Sequence, residues 1–240
     1  MIKIGILECF YPNKCAACGE IISEEKQLCD YCAALIEKTD SKNRCIKCGL
    51  SKDNCRCSLR EFRFAGIASV YENTGLARKA YYSYKISRRL GLADFFANES
   101  ARVVKEAFSG IEFDAVCSVP SGKMSLLKRG FDHSGVIARK LAAMLNVRYI
   151  PRALRVKPFI PPQHNSGFDA RLENVRGKYY TDKRISAKRA LLFDDICTSG
   201  ATLDECAKEL MFAGVGEVYC ITVLCTVPKK KTDKEVNNGN

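Results

Sequence analysis

Ala190-Leu191-Leu192-Phe193-Asp194-Asp195-Ile196-Cys197-Thr198-Ser199-Gly200-Ala201-Thr202-Leu203 is the stretch whose reading decides the fold. An apolar run meets two adjacent carboxylates, then a short loop of small and hydroxyl residues, then a helical pattern. That order predicts a buried strand of the parallel type, a tight loop and a helix N-terminus. The first backbone N–H groups of a helix have no intrahelical partner, so they suit an anion. Gly200 lets the backbone approach that anion closely, and Thr198, Ser199 and Thr202 add hydroxyl donors. Asp194 and Asp195 would repel a phosphate, but they suit sugar hydroxyls or a metal about one ribose away. The stretch therefore predicts a site for a ribose 5-phosphate. Two rival readings are a ligand-free turn before a capped helix, and the strand-end carboxylates of a P-loop ATPase. The second needs a Gly-x4-Gly-Lys-Ser/Thr loop. Gly122-Lys123 is present, but the upstream glycine it requires falls at Cys117.

The chain has 240 residues and a formal net charge of +12. The charge is uneven: residues 65–150 carry +6 and residues 151–190 carry +7, whereas residues 191–228 carry −5. Basic surroundings about an acidic pocket suit a polyphosphate with magnesium, or a nucleic-acid backbone, or both. No apolar run reaches membrane-spanning length, so no membrane insertion is expected. The first residues are too short and too lightly charged to read as a signal peptide, and a cytoplasmic location is the expectation.

Nine of the 14 cysteines fall within the first 57 residues. Cys15-x-x-Cys18, Cys29-x-x-Cys32, Cys45-x-x-Cys48 and Cys55-x-Cys57 each place two sulfurs on one turn. Two such turns make a tetrahedral thiolate site for zinc. Disulfides are the alternative, but paired CxxC turns in a chain without a secretory signal favour metal. Four thiolates leave no open position, so two structural sites are expected, filled sequentially; a cross-braced pairing remains the other option. Cys9 has no partner at this spacing. Cys117, Cys206, Cys220 and Cys225 read as small buried hydrophobes.

Further along, residues 66–71 read as a strand, and Leu76–Leu90 and Leu92–Phe108 as amphipathic helices. The first helix interleaves Tyr81, Tyr82, Tyr84 and Lys85. Such a helix can bind nucleic acid, although a half-buried face with snorkelling lysines is the more ordinary reading. Residues 113–120 read as a second buried strand ending at Pro120. The loop that follows holds Ser121, Gly122, Lys123, Lys128 and Arg129, a basic cradle for a pyrophosphate. His133 opens a helix to Asn146, as a hydrogen-bonding or capping group rather than a base. Tyr149–Val156 reads as a strand. Residues 157–168 read as a loop, either an active-site lid or a surface segment, and Arg171, Asn174 and Arg176 cluster after it. A helix over Ala201–Ala213, a last strand over Val218–Cys225 and a polar tail complete the pattern. Alternating strands and helices predict an α/β unit with a mainly parallel sheet and ligands at its carboxyl end.

Residues 191–203 resemble the phosphoribosyl pyrophosphate (PRPP) motif of type I phosphoribosyltransferases. With the double cysteine ribbon, Val119-Pro120, Arg129-Gly130-Phe131 and Arg171-x-x-Asn174, the chain resembles the ComF/ComFC competence-protein family over nearly its whole length. The resemblance implies a double zinc ribbon at 1–62, a type I phosphoribosyltransferase-like α/β domain at 63–228 with helices on both faces of its sheet, and a tail at 229–240. It implies that Asp194 and Asp195 hold the ribose hydroxyls near Mg²⁺. Cys197, Thr198, Ser199, Gly200, Ala201 and Thr202 would hold the 5′-phosphate, and Ser121, Gly122 and Lys123 the pyrophosphate, with Arg129 and Arg171 close by. Asp132-His133 stands where the family usually has Asn-Gln, which puts a second-substrate contact in question. Two functions follow: a phosphoribosyltransferase of unnamed acceptor, or a non-catalytic PRPP-sensing or single-stranded-DNA-binding factor of DNA uptake.

Overall fold

In the computed structural model the description covers residues 12–23, 25–36, 38–40, 43–55, 57–59, 61–87, 89, 91–122, 126–127, 130–158 and 175–227. Five strands form one parallel sheet: β1 (Gly66–Glu72), β2 (Ala115–Ser118), β3 (Arg148–Tyr149), β6 (Ala187–Cys197) and β7 (Val215–Cys225), in the order β1-β7-β6-β2-β3. Side chains alternate across a strand, and β6 obeys this closely. Leu191 and Phe193 enter the core on one face of the sheet, while Ala190 and Leu192 enter the core on the other. A strand buried on both faces reads as an unbroken apolar run, which is why residues 190–193 lack polar alternation.

One face is covered by three helices: α2 (Gly75–Ser87), α3 (Gly91–Ala107) and α4 (His133–Met144). In α3, Leu92, Phe96, Ala97, Ser100, Ala101 and Val104 are buried at helical spacing, making a stripe that faces the sheet. The opposite face is covered by α5 (Ala201–Phe212) through Leu203, Cys206, Ala207 and Leu210. Helices on both faces of a parallel sheet are the expected phosphoribosyltransferase-like arrangement. Cys117, Cys206, Cys220 and Cys225 are all buried in this core, as the apolar reading of them requires.

β1 is an edge strand, and unpaired edges recruit other chains unless something covers them. Here the cysteine-rich part, which includes the short helix α1 (Asp30–Leu35), lies along it. Thr39 N donates to Val70 O at 3.0 Å and Ile67 N donates to Ile46 O at 2.7 Å. Arg44 clamps the same region: it donates to Gly49 O at 2.9 Å, to Glu72 Oε1 at 2.6 Å and to Cys225 Sγ at 3.4 Å.

One expected strand is divided. Residues 149–156 do not run as a single element. Ile150 N still donates to Val116 O at 2.9 Å, but Pro151 has no N–H to continue the ladder, and Arg152 turns the chain at φ 51°. β4 (Arg155–Val156) then pairs antiparallel with β5 (Tyr179–Tyr180), outside the main sheet. β6 also runs three residues beyond Asp194, so Cys197 ends a strand paired with Cys225 and the loop proper begins at Thr198.

Candidate ribose-phosphate site

β2 leads through α4 to β3 on one side, whereas β6 lies against β2 on the other. Loops at the carboxyl ends of β2 and β6 therefore diverge, and the crevice between them is where open α/β sheets take their ligands. Val119 N closes the seam by donating to Phe193 O at 2.9 Å.

Asp194 and Asp195 stand at the carboxyl end of β6, and strand alternation sends them to opposite faces. Asp195 N donates to Asp194 Oδ1 at 2.8 Å. Asp194 is buried, and burial together with the neighbouring Asp195 charge holds its carboxyl well above the ordinary carboxylate range. Asp195 turns toward α2 and makes an ion pair with Lys85, whose ammonium also lies 5.9 Å from the centre of the Tyr81 ring.

The loop at 198–200 enters α5 through Gly200, which takes φ 75° and is buried. An added Cβ at Gly200 would lie strained and 3.0 Å from Phe62 Cε1, so the loop needs glycine there. Ser199 Oγ accepts from Ala201 N at 3.4 Å, and Gly200 O accepts from Asp204 N at 2.9 Å. Thr198 is exposed, Ser199 and Thr202 are half-buried, and Ala201 is buried under the loop. Tyr179 of β5 packs into the same core cluster as Leu203 and Cys206 of α5, and burial pushes its hydroxyl up. Burial, with Cys225 and Asp194 nearby, pushes the Cys197 thiol up to about 12. A thiol in that range stays protonated at neutral pH and is no nucleophile.

Across the crevice, Ser121 and Gly122 are half-buried beyond the end of β2. Ser121 Oγ lies 3.5 Å from Asp132 Oδ1, just before α4. Burial raises the Asp132 carboxyl, and the Asp195 charge adds to that. Gly135 admits this carboxylate: a Cβ there would sit 2.4 Å from Asp132 Oδ2. His133 is buried, its ring 3.9 Å from that of Phe131 and edge-on to that of Tyr84 at 5.3 Å, while its carbonyl accepts the Tyr84 hydroxyl at 3.0 Å. The ring packs among aromatic neighbours. Lys123, Lys128, Arg129, Arg171 and Asn174 lie outside the described residues, as do Cys9, the 159–168 part of the expected lid and the 229–240 tail.

Four residues on these walls escaped the sequence reading of the site: Phe62, Lys85, Tyr179 and Asp204. Only Lys85 had a local signal, as a lysine in an aromatic helix, and that signal favoured a half-buried face with snorkelling lysines over a nucleic-acid contact.

In the cysteine-rich part the ligand atoms of Cys15, Cys18, Cys29 and Cys32 lie within 4.8 Å of one another, and so do those of Cys45, Cys48, Cys55 and Cys57. The sulfurs are thus grouped sequentially. Soft thiolate donors in fours fit structural zinc and leave it no open position. Among the described residues no helix is long and apolar enough to cross a membrane.

Residues 6–59 match the double zinc ribbon domain family. The matched ribbon is joined to a mainly parallel five-stranded sheet with helices on both faces, the organisation that the ComF resemblance implies. Relatives aligned along most of the chain's length include DNA utilization protein YhgH of Escherichia coli K12, 22% identical over 86% of this chain and 88% of the relative. The Salmonella typhimurium LT2 protein of the same name matches at the same identity and coverage. Among solved structures, adenine phosphoribosyltransferase from Saccharomyces cerevisiae is 17% identical over 58% of this chain and 73% of that one, with a TM-score of 0.39. The glutamine PRPP amidotransferase of Bacillus subtilis is 21% identical over 60% of this chain, with a TM-score of 0.34; the match spans only 26% of that longer chain.

Proposed function

We propose that the protein binds PRPP, or a related ribose phosphate, together with Mg²⁺ in the crevice between β2 and β6. The observation that carries the proposal is the convergence of Asp194, Asp195, the 198–202 loop and Ser121–Gly122 at one switch point of the sheet. Asp194 and Asp195 would hold the ribose hydroxyls. The backbone N–H groups from Thr198 to Thr202 would take the 5′-phosphate at the start of α5. Ser121, Gly122 and Lys123 would receive the pyrophosphate, with Arg129 and Arg171 beside it. The two adjacent carboxylates offer hard oxygen donors of the kind that Mg²⁺ takes. When bound, Mg²⁺ supplies positive charge to the leaving pyrophosphate. The chain's own contribution is to position the ligand and exclude water.

A phosphoribosyltransferase of this type would let an acceptor attack ribose C1 as pyrophosphate leaves. The second reading is a non-catalytic PRPP-sensing or single-stranded-DNA-binding factor of DNA uptake, working in the cytoplasm. The name borne by the relatives, DNA utilization protein, favours it. Both readings share the division into a zinc ribbon at 1–62 and a ligand-binding domain at 63–228. Calorimetric titration of PRPP with and without Mg²⁺ tests the shared claim; no heat of binding in either condition would remove it. Association with a single-stranded oligonucleotide that weakens steeply with salt, whether or not PRPP turns over, would favour the second reading.

A further inference from the structure

The Lys85–Asp195 pair crosses from α2 to the end of β6, joining two segments 110 residues apart. Both side chains are largely buried, 18% and 20% exposed, so the ammonium is not a solvated surface charge that happens to lie near a carboxylate. No other described basic side chain is paired with either carboxylate of the Asp194-Asp195 couple. Among the described residues the other charge acting on Asp195 is acidic: Asp132, just before α4, repels it. Among the described residues, Lys85 is thus the cation that meets Asp195 at this end of the sheet.

We propose that Lys85 is a positioning residue that keeps Asp195 neutralised in the ligand-free protein and competes with a divalent cation for it. This rests on the function proposed above. A cation or a ribose hydroxyl that takes Asp195 Oδ2 must displace the Lys85 ammonium, which already holds that oxygen. Lys85 is on a helix packed against the sheet, so a released ammonium stays within the crevice. It then faces an anionic ligand instead of a bare carboxylate. The pair therefore makes metal binding alone unfavourable and metal binding with a polyphosphate favourable, an ordering set by charge. The sequence placed Lys85 on a half-buried face of its helix; what gives it a role is the strand end it meets.

The test compares wild type with Lys85→Met and Lys85→Arg, all first checked for a cooperative thermal transition. Free Mn²⁺ is followed by electron paramagnetic resonance during titration of each protein without any nucleotide or sugar phosphate. Removing a unit positive charge in contact with the site should tighten Mn²⁺ binding by at least about fivefold in Lys85→Met. Lys85→Arg should remain within about twofold of wild type, since it keeps the charge. In a second arm, the Mg²⁺ concentration giving half-maximal PRPP binding should fall in Lys85→Met. Equal Mn²⁺ affinity in wild type and Lys85→Met, or weaker affinity in the variant, overturns the proposal even if PRPP binds normally. Tighter Mn²⁺ binding in Lys85→Met with no PRPP binding by any of the three proteins supports the role of Lys85 and overturns the proposed function instead.

Discussion

Arg63 and Asp204 are joined twice. Arg63 N donates to Asp204 Oδ1 at 2.6 Å and the guanidinium Nη1 donates to Oδ2 at 2.9 Å. Asp204 is buried in the first turn of α5, whereas the Arg63 side chain is 52% exposed. The segment leaving the zinc ribbon is thereby fastened to the helix whose N-terminus forms the candidate phosphate loop.

Asp204→Ala should strand the Arg63 N–H and remove a charge-assisted bond, at a cost of about 1–3 kcal/mol. For a chain of this size that lowers Tm by roughly 3–10 °C. Arg63→Ala keeps the main-chain bond and loses only a half-exposed ion pair, so its cost should stay below about 1 kcal/mol. Differential scanning calorimetry of the two variants would show this inequality; equal losses would place the energy in the guanidinium.

Metal analysis of the purified protein should find about two zinc ions per chain, one for each four-cysteine group. Cys45→Ser combined with Cys57→Ser should remove one equivalent. It should also lower Tm, because that ribbon is seated on β1 through the Ile67–Ile46 bond and through Arg44. A zinc content near zero, or a double variant that still holds two ions, would contradict the ribbon assignment.

Asp194 gives the ligand-free protein a pH dependence of known sign. Its carboxyl is raised in the folded state, so the folded protein holds a proton that the unfolded chain has already released. The corresponding stability is full below the ordinary aspartate range and is lost as pH rises through the raised value. Asp132 acts in the same direction, while Asp114 and Glu205, whose carboxyls are lowered, act in the opposite one. Asp194→Asn removes the Asp194 contribution alone. The variant should be more stable than wild type at pH 8, by roughly 0.5–2 kcal/mol, as stabilising changes at strained sites commonly are. The gap should close toward pH 4. Urea melts at several pH values measure it; a variant less stable than wild type at pH 8 would contradict the burial argument.

The parts of the fold that were legible in the sequence are those where local chemistry and tertiary environment agree. Residues 190–193 are apolar because both faces of β6 are covered, and the CxxC spacings report their geometry directly. Gly200 announced a backbone that must turn, and it takes φ 75°. Legibility failed where a distant contact decides. The 149–156 segment has strand-forming residues, but Pro151 ends the ladder and the rest joins Tyr179–Tyr180. Lys85 and Tyr81 share one helix, and periodicity alone could place them on a half-buried face without showing that Asp195 is opposite. The seating of the ribbon on β1 is likewise invisible to spacing, since it depends on main-chain groups of Thr39 and Ile46.

The central claim is that Asp194 and Asp195 hold a ribose phosphate with magnesium. The most direct measurement is PRPP affinity by isothermal titration calorimetry, in excess Mg²⁺, for wild type and the Asp194→Asn/Asp195→Asn variant. The account predicts Mg²⁺-dependent binding by wild type and a loss of about 100-fold or more in the variant, the scale expected when charge-assisted bonds to two hydroxyls are removed. Binding of equal strength by the two proteins, or none by wild type, would contradict it.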